Sequence, residues 1–128
     1  MVNKQDFLNS INQNIDMVRG DTLAFNFQLH GLGSRTEYEA LKVKFSVGEE
    51  VDAGPIIEVS NYNYIDLVEY NAGKDLATFS VCLVPNMTKT LDPNRYYYDL
   101  QIADDNDNVL TLMRGRLTIL YDIAIGTY

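Results

Sequence analysis

Tryptophan is missing from the chain, cysteine and histidine occur once each, and proline only three times in 128 residues. A single cysteine excludes an intramolecular disulfide, and a chain of this length buries roughly two thirds of its unfolded surface without one. Cys82 stands beside Val81, Leu83 and Val84, with no basic neighbour to activate a thiol, and reads as a small apolar strand residue. His30 lies among Leu29, Gly31 and Leu32, so no zinc set forms around it; it reads as a solvated strand end. Serine and aspartate are plentiful, yet no G-x-S-x-G turn is present on which a triad could be built. The expectation is a protein that is not an enzyme and needs no cofactor or metal.

Positive charge is also scarce, with 10 Lys and Arg against 18 Asp and Glu and a net charge of −8. The basic residues are scattered singly, which argues against a nucleic-acid groove and against an anionic membrane surface. No apolar run approaches the ~20 residues of a spanning helix. Residues 1–14 hold one Lys and no apolar core, so they do not read as a secretory signal. Synthesis and folding in a cytoplasm are expected.

What the chain does have is alternation. Tyr96, Tyr98, Leu100 and Ile102 alternate with Tyr97, Asp99, Gln101 and Ala103, which puts the first set on one face of a strand. Leu117, Ile119, Tyr121 and Ile123 alternate in the same way, and Arg95–Ile123 reads as three consecutive antiparallel strands. Upstream, Ile15–Val18 reads as a short strand. Leu23, Phe25, Phe27 and Leu29 form the inward set of an Asp21–His30 strand, and Leu41, Val43, Phe45 and Val47 that of a Tyr38–Val47 strand. Ile56–Ser60, Tyr64–Glu69 and a strand with Ala77, Phe79, Val81 and Leu83 inward follow, and Pro85–Pro93 reads as a loop. Residues 1–13 read as a short helix or an arm, with Phe7, Leu8 and Ile11 at helical spacing, and residues 14–128 as one domain. About eight or nine short strands with hardly any helix predict an all-β antiparallel sandwich.

Several strings invite a functional reading. Asp104-Asp105-Asn106-Asp107-Asn108 offers oxygen ligands, but an EF-hand needs Gly and Glu where Val109 and Gly115 stand; a hairpin turn accounts for it better, with calcium left open. Arg19-Gly20-Asp21 matches the integrin tripeptide and reads as a turn. Nine tyrosines suit a protein interface, and Tyr62, Tyr64 and Tyr70 could stack on sugar rings, although the lack of tryptophan weakens that option. Tyr97, Leu110, Leu112, Leu120 and Ala124 read as outward-facing. That apolar set predicts cover by another subunit, by the N-terminal arm or by loops of the other sheet.

Arg19-Gly20-Asp21-Thr22, Arg95-Tyr96-Tyr97-Tyr98-Asp99-Leu100-Gln101 and Arg114-Gly115-Arg116-Leu117-Thr118-Ile119 occur in that order. In order and spacing they resemble the N-terminal immunoglobulin-like domain of the baseplate upper protein of lactococcal-type siphophages and related prophage tail and fibre proteins. The resemblance covers about Ile15 to Ile123. It implies an immunoglobulin-like sandwich acting as a non-enzymatic structural or adaptor component of a virion, in its baseplate, tail or head fibres. Such a protein docks to other phage structural proteins as a symmetric homo-oligomer. The alternative reading is a carbohydrate-binding β-sandwich module.

Overall fold

The computed structural model describes residues 11–50, 54–61 and 63–121. They form nine strands: β1 (Ile11–Asn12), β2 (Ile15–Val18), β3 (Leu23–His30), β4 (Lys42–Gly48), β5 (Ile57–Asn61), β6 (Tyr64–Asn71), β7 (Leu76–Leu83), β8 (Arg95–Ala103) and β9 (Val109–Leu120). Two short helices join them, α1 (Arg35–Ala40) and α2 (Pro85–Thr88). The protein is all-β, as the alternation predicts.

The strands make one hydrogen-bonded sheet in the order β1-β9-β8-β4-β5-β6-β7-β3, with β2 also on β9. The link from β5 to β6 is short, with only Ser60–Tyr64 and Asn61–Ile65 paired. The chain turns a corner there. Tyr64 takes a positive φ of 70°, and Asn63 and Ser60 exchange backbone hydrogen bonds of 2.9 and 3.2 Å. The Asn61 carboxamide then accepts from the Val43 N–H.

Beyond that corner the sheet faces itself. Phe25 of β3 and Phe45 of β4, far apart in strand order, meet edge-on with ring centroids 5.5 Å apart. Phe45 also stacks on Tyr98 at 5.5 Å, and Phe27 on Phe79 at 5.2 Å. The inward sets of β4, β7 and β8 (Val43, Phe45 and Val47; Ala77, Phe79, Val81 and Leu83; Tyr96, Tyr98, Leu100 and Ile102) are buried, and Leu117 and Ile119 join them. Period-two burial of one face is what the sheet exists to achieve, since roughly 25 cal/mol is gained per Å² of apolar area removed from water.

Several expectations need correction. Arg95–Ile123 holds two strands rather than three: β9 is 12 residues long and runs unbroken through Arg114, Gly115 and Arg116. Tyr121, expected inward, is 81% exposed just past the strand end, and Ile123 lies outside the described residues. The pairing is not purely antiparallel, because β1 and β2 run parallel to β9. Tyr38 opens no strand. It sits in α1, which Ser34 caps by accepting from the Glu37 N–H at 3.3 Å, and its ring is buried. Proline at its first turn starts α2 inside the expected loop. The helix or arm expected over residues 1–13 falls largely outside the described residues, and within them Ile11–Asn12 is strand.

Tyrosine hydroxyls tie loops to the sheet. Tyr96 donates to the Asp92 carbonyl four residues upstream at 2.8 Å. Tyr38 lies 2.6 Å from an Asp75 carboxylate oxygen, to which it donates, and accepts from the Leu32 N–H at 3.2 Å. Asp75 also accepts from the Gly33 N–H at 2.9 Å. The α1 loop is thus latched to the β6–β7 turn. Burial, with the neighbouring Asp75 carboxylate, pushes the Tyr38 phenol up to about 12.

Candidate functional site

The outer face of β5, β4, β8 and β9 carries a hollow of about 730 Å³. Cross-strand pairing sets its floor in rows. Glu58, Ser46, Asp99 and Arg114 make one row; Gly48, Tyr97 and Arg116 the next; Ser60, Lys44, Gln101 and Thr111 a third. Gly48 has no side chain beside Tyr97, and Gly54 and Pro55 form the nearby wall. Tyr97, 40% exposed, thus has Gly48 opposite it on β4 and Arg116 opposite it on β9.

Charges of both signs line this hollow: Lys44, Arg114 and Arg116 with Glu50, Glu58 and Asp99. Burial pushes the Asp99 carboxyl above its usual range; Lys44 pulls it down and Glu58 pushes it up. Gln101 Nε2 lies 3.4 Å from both Asp99 and Thr111, ordering the third row against the first. Such a surface suits recognition of a polar, mixed-charge partner around one aromatic anchor.

One rim of the hollow is the link between β1 and β2. Gln13 N–H donates to the Arg114 carbonyl at 3.0 Å, and Arg116 N–H to Asn14 Oδ1 at 3.1 Å. The Tyr98 hydroxyl reaches through to the Gln13 carbonyl. Gly115 makes this crossing feasible, since a Cβ there would overlap the Gln13 carbonyl oxygen and lie 2.7 Å from its carbon. A second, smaller hollow of about 340 Å³ lies between α1 and the β8–β9 turn.

Of the residues predicted to form an interface, Tyr97 and Leu120 lie on this outer face, and Leu120 is 45% exposed. Leu110 does not. It pairs with Ile102 and shares its core-facing side, half-buried. A register shift between Leu100 and Gln101 leaves Leu112 as the extra residue on β9, so the alternation changes phase there. Leu112 packs against the core. Ala124 lies outside the described residues.

The tyrosines considered for sugar stacking do not converge. Tyr62 lies outside the described residues, and Tyr64 is 42% exposed at the corner. Tyr70, at the far end of β6 and ~20 Å away by strand rise, donates to the Gly33 carbonyl at 2.7 Å and packs on Tyr38. The Asp104–Asn108 string is a hairpin turn, as expected: Asp104 accepts from the Asn106 and Asn108 N–H groups at 2.9 and 3.0 Å. The Asn108 side-chain amide, which donates to Asp104 at 3.0 Å, and those N–H groups hold its carboxyl below the usual carboxylate range. His30 is exposed at the end of β3, and Cys82 is half-buried on β7.

Lys44, Ser46, Asp99 and Gln101 were legible as outward-facing, but nothing in the sequence says that β4 lies beside β8. The hollow was invisible for that reason. No protein-family model matches this chain, and no curated protein matches it either.

Proposed function

We propose that the chain is an immunoglobulin-like, non-enzymatic structural or adaptor protein of a bacteriophage or prophage particle, in its baseplate, tail or head fibres. It is made in the host cytoplasm, self-associates, and docks to other structural proteins of the virion. The observation that carries this reading is the hollowed outer face of β5-β4-β8-β9, with Tyr97 half-exposed in one of its rows.

The fold supports the immunoglobulin-like part. An immunoglobulin sandwich of the variable type sets strands G-F-C-C′ in one sheet and B-E-D in the other. Here β9-β8-β4-β5 and β6-β7-β3 follow the same order on either side of the corner. Tyr96, which opens β8 in the F position and bonds back to the Asp92 carbonyl, matches the tyrosine corner of that fold.

The phrases that suggest phage tail proteins also meet in space, which supports treating them as one signature. Tyr98 pairs with Gly115 across β8 and β9, and Arg19 N–H donates to the Leu120 carbonyl at 3.0 Å. The sugar-binding alternative finds no comparable support, because Tyr70 is tied down and Tyr64 stands apart from it.

Mass spectrometry of density-banded particles from a lysogen that encodes the chain tests the proposal. The chain should appear at fixed copy number. A folded variant carrying Tyr97→Ala and Arg116→Glu should be lost from the particle. Particles free of the chain would refute the reading.

A further inference from the structure

At the end of the sheet away from β9, β3 pairs with β7 alone among the described residues. Gly31 N–H donates to the Asp75 carbonyl at 3.2 Å, one step beyond the His30–Leu76 pair. That bond sets the phase of the ladder. Odd-numbered residues of β3 turn their backbone groups to β7, and Ala24, Asn26, Gln28 and His30 turn theirs to the free edge.

Natural sheets guard such edges with charge, proline, bulges or brevity. β3 has none of these over its 8 residues, Leu-Ala-Phe-Asn-Phe-Gln-Leu-His. Among the strands of 4 residues or more, only β3 and β7 lack a formally charged side chain, and β7 is enclosed on both sides. The inward residues of β3 also reach water. Leu23, Phe25 and Phe27 are only partly buried, whereas their β7 partners Leu83, Val81 and Phe79 are at most 1% exposed.

From this we propose that the β3 edge is a self-association surface, where a second copy of this chain adds its own β3 antiparallel about a two-fold axis through Phe27. It rests on the self-association within the function proposed above and names the surface for it. Two molecules each carrying −8 repel one another over most of their area, and β3 offers an uncharged line of contact. The two-fold arrangement satisfies every edge-facing backbone group from Ala24 to His30. Asn26 faces Gln28 of the second copy and Ala24 faces His30. Phe27 meets Phe27, and Phe25 meets Leu29, so apolar faces continue across the join. Registers pairing odd with even positions would set the core face of one copy beside the outer face of the other, and they are disfavoured. Backbone pairing supplies affinity and alternate side chains supply register, as in other edge-strand additions.

Sedimentation velocity over a concentration series tests this on the full chain, with circular dichroism and melting to confirm folding. The expected result is a reversible dimer. Placing like charges opposite one another with Asn26→Lys and Gln28→Lys should weaken it about tenfold or more. N26K/Q28E, which places opposite charges across the axis, should retain it. A wild-type chain that stays monomeric, or a double-lysine variant that dimerises as well as wild type, would overturn the inference. Deletion of residues 1–10 should leave the dimer intact. If that deletion instead converts a monomer into a dimer, the chain's own N-terminal segment fills the edge and the inference fails. None of these outcomes depends on particle incorporation, so either proposal can fail without the other.

Discussion

Replacing Gly115 with alanine adds one methyl group to a buried crossing. That methyl would overlap the Gln13 carbonyl oxygen and stand 2.7 Å from the carbonyl carbon. Both are backbone atoms, so the clash cannot be relieved by a side-chain rotation. The Tyr98 ring, 3.3 Å away on the third side, blocks a shift in that direction. The Gln13–Asn14 link must therefore lift from β9, and with it go three hydrogen bonds: Gln13 N–H to Arg114, Arg116 N–H to Asn14, and Tyr98 hydroxyl to Gln13. At about 1 kcal/mol each, with an added penalty for the half-buried Tyr98 hydroxyl, the loss is about 2–4 kcal/mol. For a domain of this size that corresponds to a fall in Tm of roughly 8–15 °C. Urea denaturation gives the free energy, and amide exchange should show lost protection at Ile15–Val18 while β7 stays protected. Gly73→Ala is the control, because a Cβ there meets only Asn71 Oδ1 at 3.5 Å. A Gly115→Ala variant within about 0.5 kcal/mol of wild type would refute this account of the crossing.

Tyr96→Phe removes the bond to the Asp92 carbonyl and should cost about 1 kcal/mol in urea denaturation, with the near-ultraviolet spectrum retained. Tyr38→Phe leaves the buried Leu32 N–H without its acceptor and should cost about 1–3 kcal/mol. In the wild-type protein the Tyr38 phenol ionises near 12 when folded and near 10 when unfolded. Its contribution to stability is therefore complete below pH 10 and is lost as pH rises toward 12, which alkaline titration followed at 295 nm should resolve as a late tyrosine. Asp99 has the opposite consequence at neutral pH. Its folded pKa is raised, so the folded state is favoured when the carboxyl is protonated, and that advantage is lost as pH rises through the raised value. Asp99→Asn should accordingly stabilise the protein at pH 7 and make no difference below the ordinary carboxylate range; equal stability at pH 7 would contradict it.

The two-residue rhythm carried most of the fold, and its failures have physical causes. Tyr96, Tyr98, Leu100 and Ile102 were legible as core because nothing interrupts their strand. Leu110 and Leu112 were not, because a bulge shifts the phase of β9 and leaves no mark in the sequence. Tyr38 looked like the start of a strand, although Ser34-Arg35-Thr36-Glu37 carries the capping-box spacing that announces a helix. The parallel pairing of β1 and β2 with β9 joins residues about a hundred positions apart, and so does the rim of the hollow at Asn14 and Arg116. Local alternation cannot encode such a pairing. The outward residues of the candidate face were visible singly, and their assembly into one surface was not.

The place of β9 between β8 and β2 also bears on how the molecule comes to be made. It follows every other described strand in the chain, yet half of the sheet is built around it. During translation β2 emerges with its partner strand missing, and β8 can pair with β4 on one edge only until Leu120 has cleared the ribosome. Folding should therefore wait until β9 has emerged, with part of the aromatic interior uncovered in the meantime and a dependence on whatever shields nascent chains in the cell.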